Sequence, residues 1–281
     1  MKITFLGTGT SHGIPVINCT CKCCTSSDPK DTRWRSSIKV EANDGTTVVV
    51  DTGPEFRLQA LKYGLSRLDA VFFTHSHADH VHGLDDVRIF AHVNSESGKS
   101  TPPLDIYANS HTNNDIRNRF DYVFKTTQMG GGKPALNLVD CEKFSIENPI
   151  CVGSLQVVPI PMLHGKIPTT GWMFKDSSDC FKFAYLTDCN FIPVSSIELV
   201  KNCNSVVVDA LRSEVHQTHF NFAEATRLCS QMNGKNFYFI HMTHDKTDSE
   251  IQEEIAILKK DMGIAEDVNI TTSYDGLVLN L

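Results

Sequence analysis

Three histidines and an aspartate fall within six residues in His75-Ser76-His77-Ala78-Asp79-His80, directly after the apolar run Ala70-Val71-Phe72-Phe73-Thr74. Imidazole and carboxylate donors at that density suit Zn, Mn or Fe. A chance cluster on a surface turn is the competing explanation, and the scarcity of histidine weighs against it. A loop that leaves a buried strand also holds ligands rigidly. Farther along, His164 follows the strand-like Leu155–Pro161, Asp188 ends Phe183–Thr187, and His241 ends Asn236–Ile240. Singly, each would pass for a hydrogen-bonded structural residue. Together they repeat one arrangement, in which an apolar strand delivers a ligand-type residue at its C-terminal edge, where sites in α/β folds tend to lie. The set supplies donors for two metal ions with a position left open for water.

A second cluster, Asn18-Cys19-Thr20-Cys21-Lys22-Cys23-Cys24, carries four thiols. Closely spaced thiolates can wrap one tetrahedral zinc if the fourth ligand comes from elsewhere, and the spacing leaves open which three take part. A reactive or redox role is the rival reading. Cys141, Cys151, Cys180, Cys189, Cys203 and Cys229 are scattered and read as packing residues.

The elements that must position these groups are short runs rich in Val, Ile and Phe. Strands are expected at Ile3–Leu6, Ser37–Glu41, Thr47–Val50, Ala70–Thr74, Leu104–Ala108, Leu155–Ile160, Phe183–Leu186, Ser205–Asp209, Asn236–Ile240 and Gly276–Leu279. Helices are expected at Pro54–Tyr63, where Pro54 and Glu55 suit a first turn, and at Asn113–Phe124, Phe222–Met232 and Ser249–Met262. No repeat or long linker divides the order, so one α/β domain over residues 1–281 is expected, with Met129-Gly130-Gly131-Gly132-Lys133 as a flexible loop within it. The pattern leaves open whether the sheet is parallel or mixed.

The formal charge is −7 over 281 residues, which argues against a dedicated DNA-binding protein but leaves room for a basic pocket that takes a small phosphorylated substrate. The N-terminal run is too short and Gly-rich for a signal peptide, and no stretch reaches the roughly 20 apolar residues of a membrane span. A cytoplasmic location is the default, in which ten cysteines serve as buried thiols or metal ligands and not as a disulfide framework.

The segment His75–His80 matches the His-x-His-x-Asp-His signature of metallo-β-lactamase-fold hydrolases, and the chain resembles them from the Gly7-Thr8-Gly9 turn to Tyr274-Asp275-Gly276. The resemblance implies an αββα sandwich, two mixed β-sheets flanked by helices. It implies that His75, His77 and His164 hold one divalent metal, that Asp79, His80 and His241 hold a second, and that Asp188 bridges them. Asp51, in Val48-Val49-Val50-Asp51, matches a buried aspartate that orients the metal-site loop without ligating. Two such ions would lower the pKa of a bridging water and polarise a phosphoryl oxygen, with Asp79 among the catalytic residues.

Within that family, Cys-x-Cys-x-x-Cys just after the first strand marks two groups. One is similar to the phosphoribosyl cyclic phosphodiesterase of phosphonate breakdown; the other is the pyrroloquinoline-quinone biosynthesis protein. The pattern implies a structural zinc on Cys19, Cys21, Cys24 and His244, with Cys23 left out. The stretches Asp28–Ser37, Gly53–Arg57, His82–Arg88 and Asp209–Arg212, with His216-Gln217-Thr218-His219, resemble the phosphodiesterase group. By that match His219 contacts substrate phosphate and serves as a general acid or electrostatic aid. Arg57 and Arg88 become candidates for phosphate contact through their planar donor forks, with surface ion pairing as the alternative. His216 either joins His219 or stabilises the loop.

The implied function is a metal-dependent phosphodiesterase acting on a small cyclic phosphodiester, such as phosphoribosyl 1,2-cyclic phosphate or a cyclic nucleotide, in a chain that could form a homodimer. A tRNA 3′-end endonuclease is the second reading, although the Gly130–Lys133 loop is short for the basic arm of that class and those enzymes lack the cysteine cluster. A metal-stabilised accessory protein without catalysis is the third, and the complete ligand set speaks against it.

Overall fold

A computed structural model describes residues 1–93, 101–125, 132–178 and 180–281. Two seven-stranded sheets carry the chain. In the first, the spatial order is Val278–Asn280, Lys2–Gly7, Ser37–Glu41, Thr47–Val50, Ala70–Phe72, Leu104–Ala108 and Leu136–Asp140. Pairing is antiparallel up to Thr47–Val50 and parallel beyond it. In the second, Asn269–Thr272, Asn236–Ile240, Ser205–Asp209 and Lys182–Leu186 run parallel, followed by antiparallel Ile167–Asp176, Leu155–His164 and Ile150–Val152. Both sheets are therefore mixed, which answers the question that the sequence pattern left open.

The period of two along each strand explains the layers. Ile3, Phe5, Val40, Val48, Val50 and Phe72 face the second sheet, where they meet Val157, Trp172, Phe174, Phe183, Tyr185 and Val207. Alternate residues point outward into helices. Leu6, Val49, Val71 and Ile106 lie under one helical layer, and Val206, Val208, Phe237 and Phe239 lie under the other, with Phe222, Leu228, Ile251 and Ile255. Both faces are covered, so the central strands read as unbroken apolar runs. Phe72 stacks on Tyr107 and meets Trp172 edge-on, each at 4.9 Å between ring centroids.

The helices start where polar caps permit. Asn221 and Glu224 form a reciprocal capping box before Phe222–Ser230, and Thr247 and Glu250 do the same before Asp248–Asp261. The helix expected over Asn113–Phe124 is two, Ser110–Arg119 and Asp121–Phe124, because Phe120 leaves helical geometry at φ −109°, ψ 42°. The strand expected to stop at Ile160 continues to His164, paired residue for residue with Ile167–Asp176. Of the glycine-rich loop, Met129–Gly131 lies outside the described residues. Among the described residues no helix is long and apolar enough to cross a membrane.

Candidate metal centre

The parallel strands of both sheets end at one edge of the sandwich, and the chemistry-bearing residues follow them. Asp51 comes directly after Thr47–Val50, Asp188 two residues after Lys182–Leu186, and His241 directly after Asn236–Ile240. All three take left-handed backbone conformations, with φ of 62°, 55° and 66°. Asp and His are among the few non-glycine residues that populate this region, and residues held there cluster at functional sites. Gly53 lets the Asp51 loop pass under the histidine segment, since a Cβ there would sit 2.3 Å from the Asp79 carbonyl oxygen.

Two sets of donors converge at this edge. The ligand atoms of His75, His77 and His164 lie within 4.8 Å of one another, as do those of Asp79, His80, Asp188 and His241. Asp188 sits between the sets. Its Oδ2 is 3.9 Å from His75 Nε2 and 3.3 Å from His80 Nε2, and its Oδ1 is 3.1 Å from His241 Nδ1. His75 Nε2 and His80 Nε2 are nevertheless buried without a hydrogen-bond partner. An orphaned buried nitrogen costs about 1–3 kcal/mol, and a cation removes that cost. The donor set therefore fits divalent metal in both halves.

Second contacts fix which nitrogen each ring presents. Asp51 accepts the His80 Nδ1–H at 2.7 Å, together with the Thr74 main-chain N–H and hydroxyl, both at 2.9 Å. His164 Nδ1 donates to the Thr218 carbonyl at 2.7 Å. In both rings Nε2 is thereby left as the lone-pair donor that a metal needs.

Charge is distributed to the same end. Burial and the charge of His80 hold the His75 ring well below its ordinary pKa, and burial carries His241 down to about 3. Burial opposes ionisation of Asp79 and Asp188, but the surrounding imidazoles outweigh it and keep both carboxyls below the usual range. His80 moves the other way. Despite its burial, Asp188, Asp79 and Asp51 converge on it and raise its pKa well above the ordinary value.

His219 stands at the margin of the centre, stacked on His241 at 4.8 Å and edge-on to His164 at 4.5 Å. Its Nδ1 donates to Asp209 at 3.1 Å. Burial disfavours the charged ring, yet the Asp209 carboxylate lifts its pKa to about 9. His216 accepts from the main-chain N–H of Thr218 at 3.4 Å and so helps shape the loop that carries His219.

The cysteine loop reaches the far side of the segment that carries His241. Cys19, Cys21 and Cys24 Sγ lie 3.4, 3.3 and 3.5 Å from His244 Nδ1. Cys23 is buried and turned toward the Asp31 carbonyl, and burial pushes its thiol up to about 12. The Cys24 main-chain N–H and His244 bring the Cys21 thiol down to about 6, while burial pushes the Cys24 thiol up to about 11. The geometry thus selects three of the four cysteines. Arg33, farther along the chain, is 2% exposed, pairs with Asp248 at 2.8 Å and donates to Thr8 Oγ1 at 2.9 Å.

Arg57 and Arg88 are not gathered into the cluster. They line a surface groove with Phe56, Leu61, Asp86 and Ile89, and none of the clustered histidines or aspartates lines it. Arg88 pairs instead with Asp85 at 3.2 Å. Two residues at the centre were not singled out from sequence for a role of their own. Asp209 carried a usable signal, because Val206-Val207-Val208-Asp209 repeats the Val48-Val49-Val50-Asp51 pattern. Arg119, whose guanidinium donates to the Ser76 carbonyl, carried none, because its helix has no special spacing.

Residues 46–242 match the family model described as a β-lactamase superfamily domain. With its two-sheet sandwich and the His/Asp cluster at the sheet edge, the chain belongs to that superfamily and has the metallo-β-lactamase fold. It is 32% identical over 99% of its length to the octanoyltransferase of Porphyromonas gingivalis, and it spans 51% of that protein. It is 27% identical to Ribonuclease Z of Prochlorococcus marinus over 61% of its length and 48% of that enzyme. The chain thus spans about half the length of these curated relatives. The crystal structure of a diphosphatase from the PhnP family is similar over 99% of this chain and 96% of that one, at 32% identity and a TM-score of 0.79.

Proposed function

We propose that the chain is a phosphodiesterase working with two divalent ions, Zn, Mn or Fe, on a small cyclic phosphodiester such as phosphoribosyl 1,2-cyclic phosphate or a cyclic nucleotide. The observation that carries this reading is the pair of adjoining donor sets with Asp188 between them, in which buried His75 Nε2 and His80 Nε2 have no hydrogen-bond partner. In this reading His75, His77 and His164 would hold one ion and Asp79, His80 and His241 the other, with Asp188 placed to serve either. The chemistry such ions supply when bound is Lewis acidity toward a phosphoryl oxygen and toward water.

The protein's own groups do the rest. Asp51 holds His80 in the ligating tautomer. Asp209 holds His219 through Nδ1, so that as a water oxygen bonds to phosphorus and the phosphoester bond breaks, His219 would give its proton to the leaving oxygen and regain one from the proton that the water releases. Cys19, Cys21, Cys24 and His244 take a structural zinc that braces the loop of His241. The likeness to a diphosphatase of the PhnP family, at 32% identity over nearly the whole chain, supports phosphoester chemistry. Ten cysteines without a disulfide among the described residues suit a reducing, cytoplasmic setting, and a homodimer is compatible with the same reading.

Ribonuclease activity is the second reading, favoured by the similarity to Ribonuclease Z. A formal charge of −7 suits a long RNA less well than a small substrate. The acyl transfer in the name of the P. gingivalis relative attaches to a protein of which about half has no counterpart here.

The test is hydrolysis of bis(p-nitrophenyl) phosphate beside p-nitrophenyl phosphate and a tRNA precursor, by protein reloaded with Mn or Zn. Metal-dependent turnover of the diester, with the monoester and the tRNA untouched, is the expected result. Cleavage of the tRNA alone would transfer the assignment to the ribonuclease reading.

A further inference from the structure

His219 is carried between the strand Ser205–Asp209 and the helix Phe222–Ser230 on a loop without helix or strand of its own. The Leu211 N–H closes the base of this loop on the Phe220 carbonyl at 2.9 Å, and the Ser213 hydroxyl ties its outer part to Glu254 at 2.8 Å. On the side of the metal centre it lies against the turn that follows His164. Gly165 of that turn has φ 62°, and a Cβ there would sit 2.9 Å from Thr218 Cγ2. Asn190, two residues beyond Asp188, joins turn and loop. Its Oδ1 accepts the Gly165 N–H at 2.8 Å, and its Nδ2 donates to the Gln217 carbonyl at 2.9 Å. The Asn190 N–H donates to the Leu163 carbonyl at 3.0 Å, which fixes the backbone that presents the amide. A donor on one side and a carbonyl on the other define which way the amide faces, and among side chains of this size only asparagine meets both.

We propose that Asn190 is a positioning residue for His219: its amide clamps the loop that carries His219 onto the turn after His164 and so sets where the His219 ring stands at the metal centre. The inference rests on the phosphodiesterase reading for the role of His219. The adjacent carbonyls of Gln217 and Thr218 are held by Asn190 and by His164 Nδ1, the latter at 2.7 Å. Two neighbouring ties fix the orientation of a peptide segment that a single tie would leave free to swing. The next residue is His219, whose ring meets that of His164 edge-on at 4.5 Å. Asp209 fixes the ring from its other side through Nδ1 at 3.1 Å. Misplacement of a reacting group by about 1 Å can cost about 10²-fold in rate, so a contact one shell away from the chemistry can govern kcat.

The experiment pairs kinetics with amide hydrogen exchange on metal-loaded wild type, Asn190→Ala, Asn190→Asp, His219→Ala and the double variant of Asn190→Ala with His219→Ala. Asn190→Asp keeps the shape and the acceptor for Gly165 but sets a carboxylate against the Gln217 carbonyl. With bis(p-nitrophenyl) phosphate, Asn190→Ala and Asn190→Asp should each lower kcat about tenfold or more with KM within about threefold. In the His219→Ala background the Asn190→Ala change should cost less than about threefold, because nothing is left for the clamp to position. Exchange should quicken over residues 214–220 in both Asn190 variants and stay at the wild-type rate in the two sheets. Losses that multiply in the double variant, full activity in Asn190→Asp, unchanged exchange in the loop, or faster exchange throughout the sheets would each overturn the proposal. If wild type does not hydrolyse the diester, the phosphodiesterase reading has failed, and exchange decides the clamp by itself: quickening confined to residues 214–220 keeps it, and any other pattern removes it.

Discussion

Asp209 accepts the ring N–H of His219 at 3.1 Å and, through the same oxygen, the main-chain N–H of Asp188 at 3.0 Å. Its other oxygen takes the Phe220 N–H at 3.0 Å. One buried carboxylate therefore fixes both the residue between the two donor sets and the histidine at their margin. Asp209→Asn keeps the shape but offers an amide in place of a charged acceptor. We expect kcat to fall about 10²- to 10⁴-fold, and the double variant with His219→Ala to be no worse than the poorer single. Steady-state kinetics on a diester check this; additive losses would mean that the two residues act independently.

The Asp51–His80 contact should govern metal retention. Replacing Asp51 by Ala frees the His80 ring to rotate and removes the acceptor that fixes its tautomer. Loss of such an orienting contact typically costs about 10- to 100-fold in metal affinity. Competition with a fluorescent chelator measures it, and unchanged affinity would count against an orienting role.

Thiol substitutions separate the four clustered cysteines. Cys21→Ser should lower bound zinc by one equivalent and reduce thermal stability, since Cys21 Sγ is 3.3 Å from His244 Nδ1. Cys23→Ser should retain the full complement, because Cys23 faces Asp31. Elemental analysis of the purified variants decides between this arrangement and one that uses Cys23.

Asp275 supplies a pH dependence remote from the metal ligands. It is half-buried, accepts from the Thr8 hydroxyl at 2.8 Å and the Trp34 N–H at 2.7 Å, and loss of solvent around it raises its carboxyl to about 6 from 3.8. The folded state thus binds this proton more tightly than the unfolded chain. Its contribution to stability is complete below pH about 4 and is lost as pH rises through about 6. Asp275→Asn removes the titration, so the stability of wild type relative to the variant should drop by about 2–3 kcal/mol between pH 4 and 7. Urea melts at both pH values check it; a difference independent of pH would be inconsistent.

The sequence was most informative where one strand face or one loop carries all of the signal. The ten strands expected from apolar runs all form, because each buries alternate residues between the sheets or covers both faces. The hairpin strand Ile167–Asp176 escaped because Pro168 and Gly171 interrupt it and six consecutive residues are buried, which removes the alternation. Gly171 packs closely there: a Cβ would sit 2.7 Å from Leu186 Cδ2, so that side chain would have to move. At the site, His75 to His80 were legible because strand and ligands adjoin in sequence. The Asp209–His219 contact spans ten residues of irregular loop, and that of Arg119 with Ser76 crosses 43, so only tertiary packing creates them.

The central claim is that two ions act together at this centre. Metal-free protein should be titrated with Mn while turnover of bis(p-nitrophenyl) phosphate and bound metal are followed in parallel, with the cysteine site already filled with zinc. The account predicts little activity at the first equivalent, full activity at the second, and none in Asp188→Ala at either. Full activity with a single ion, or no diester turnover with both sites filled, would contradict it.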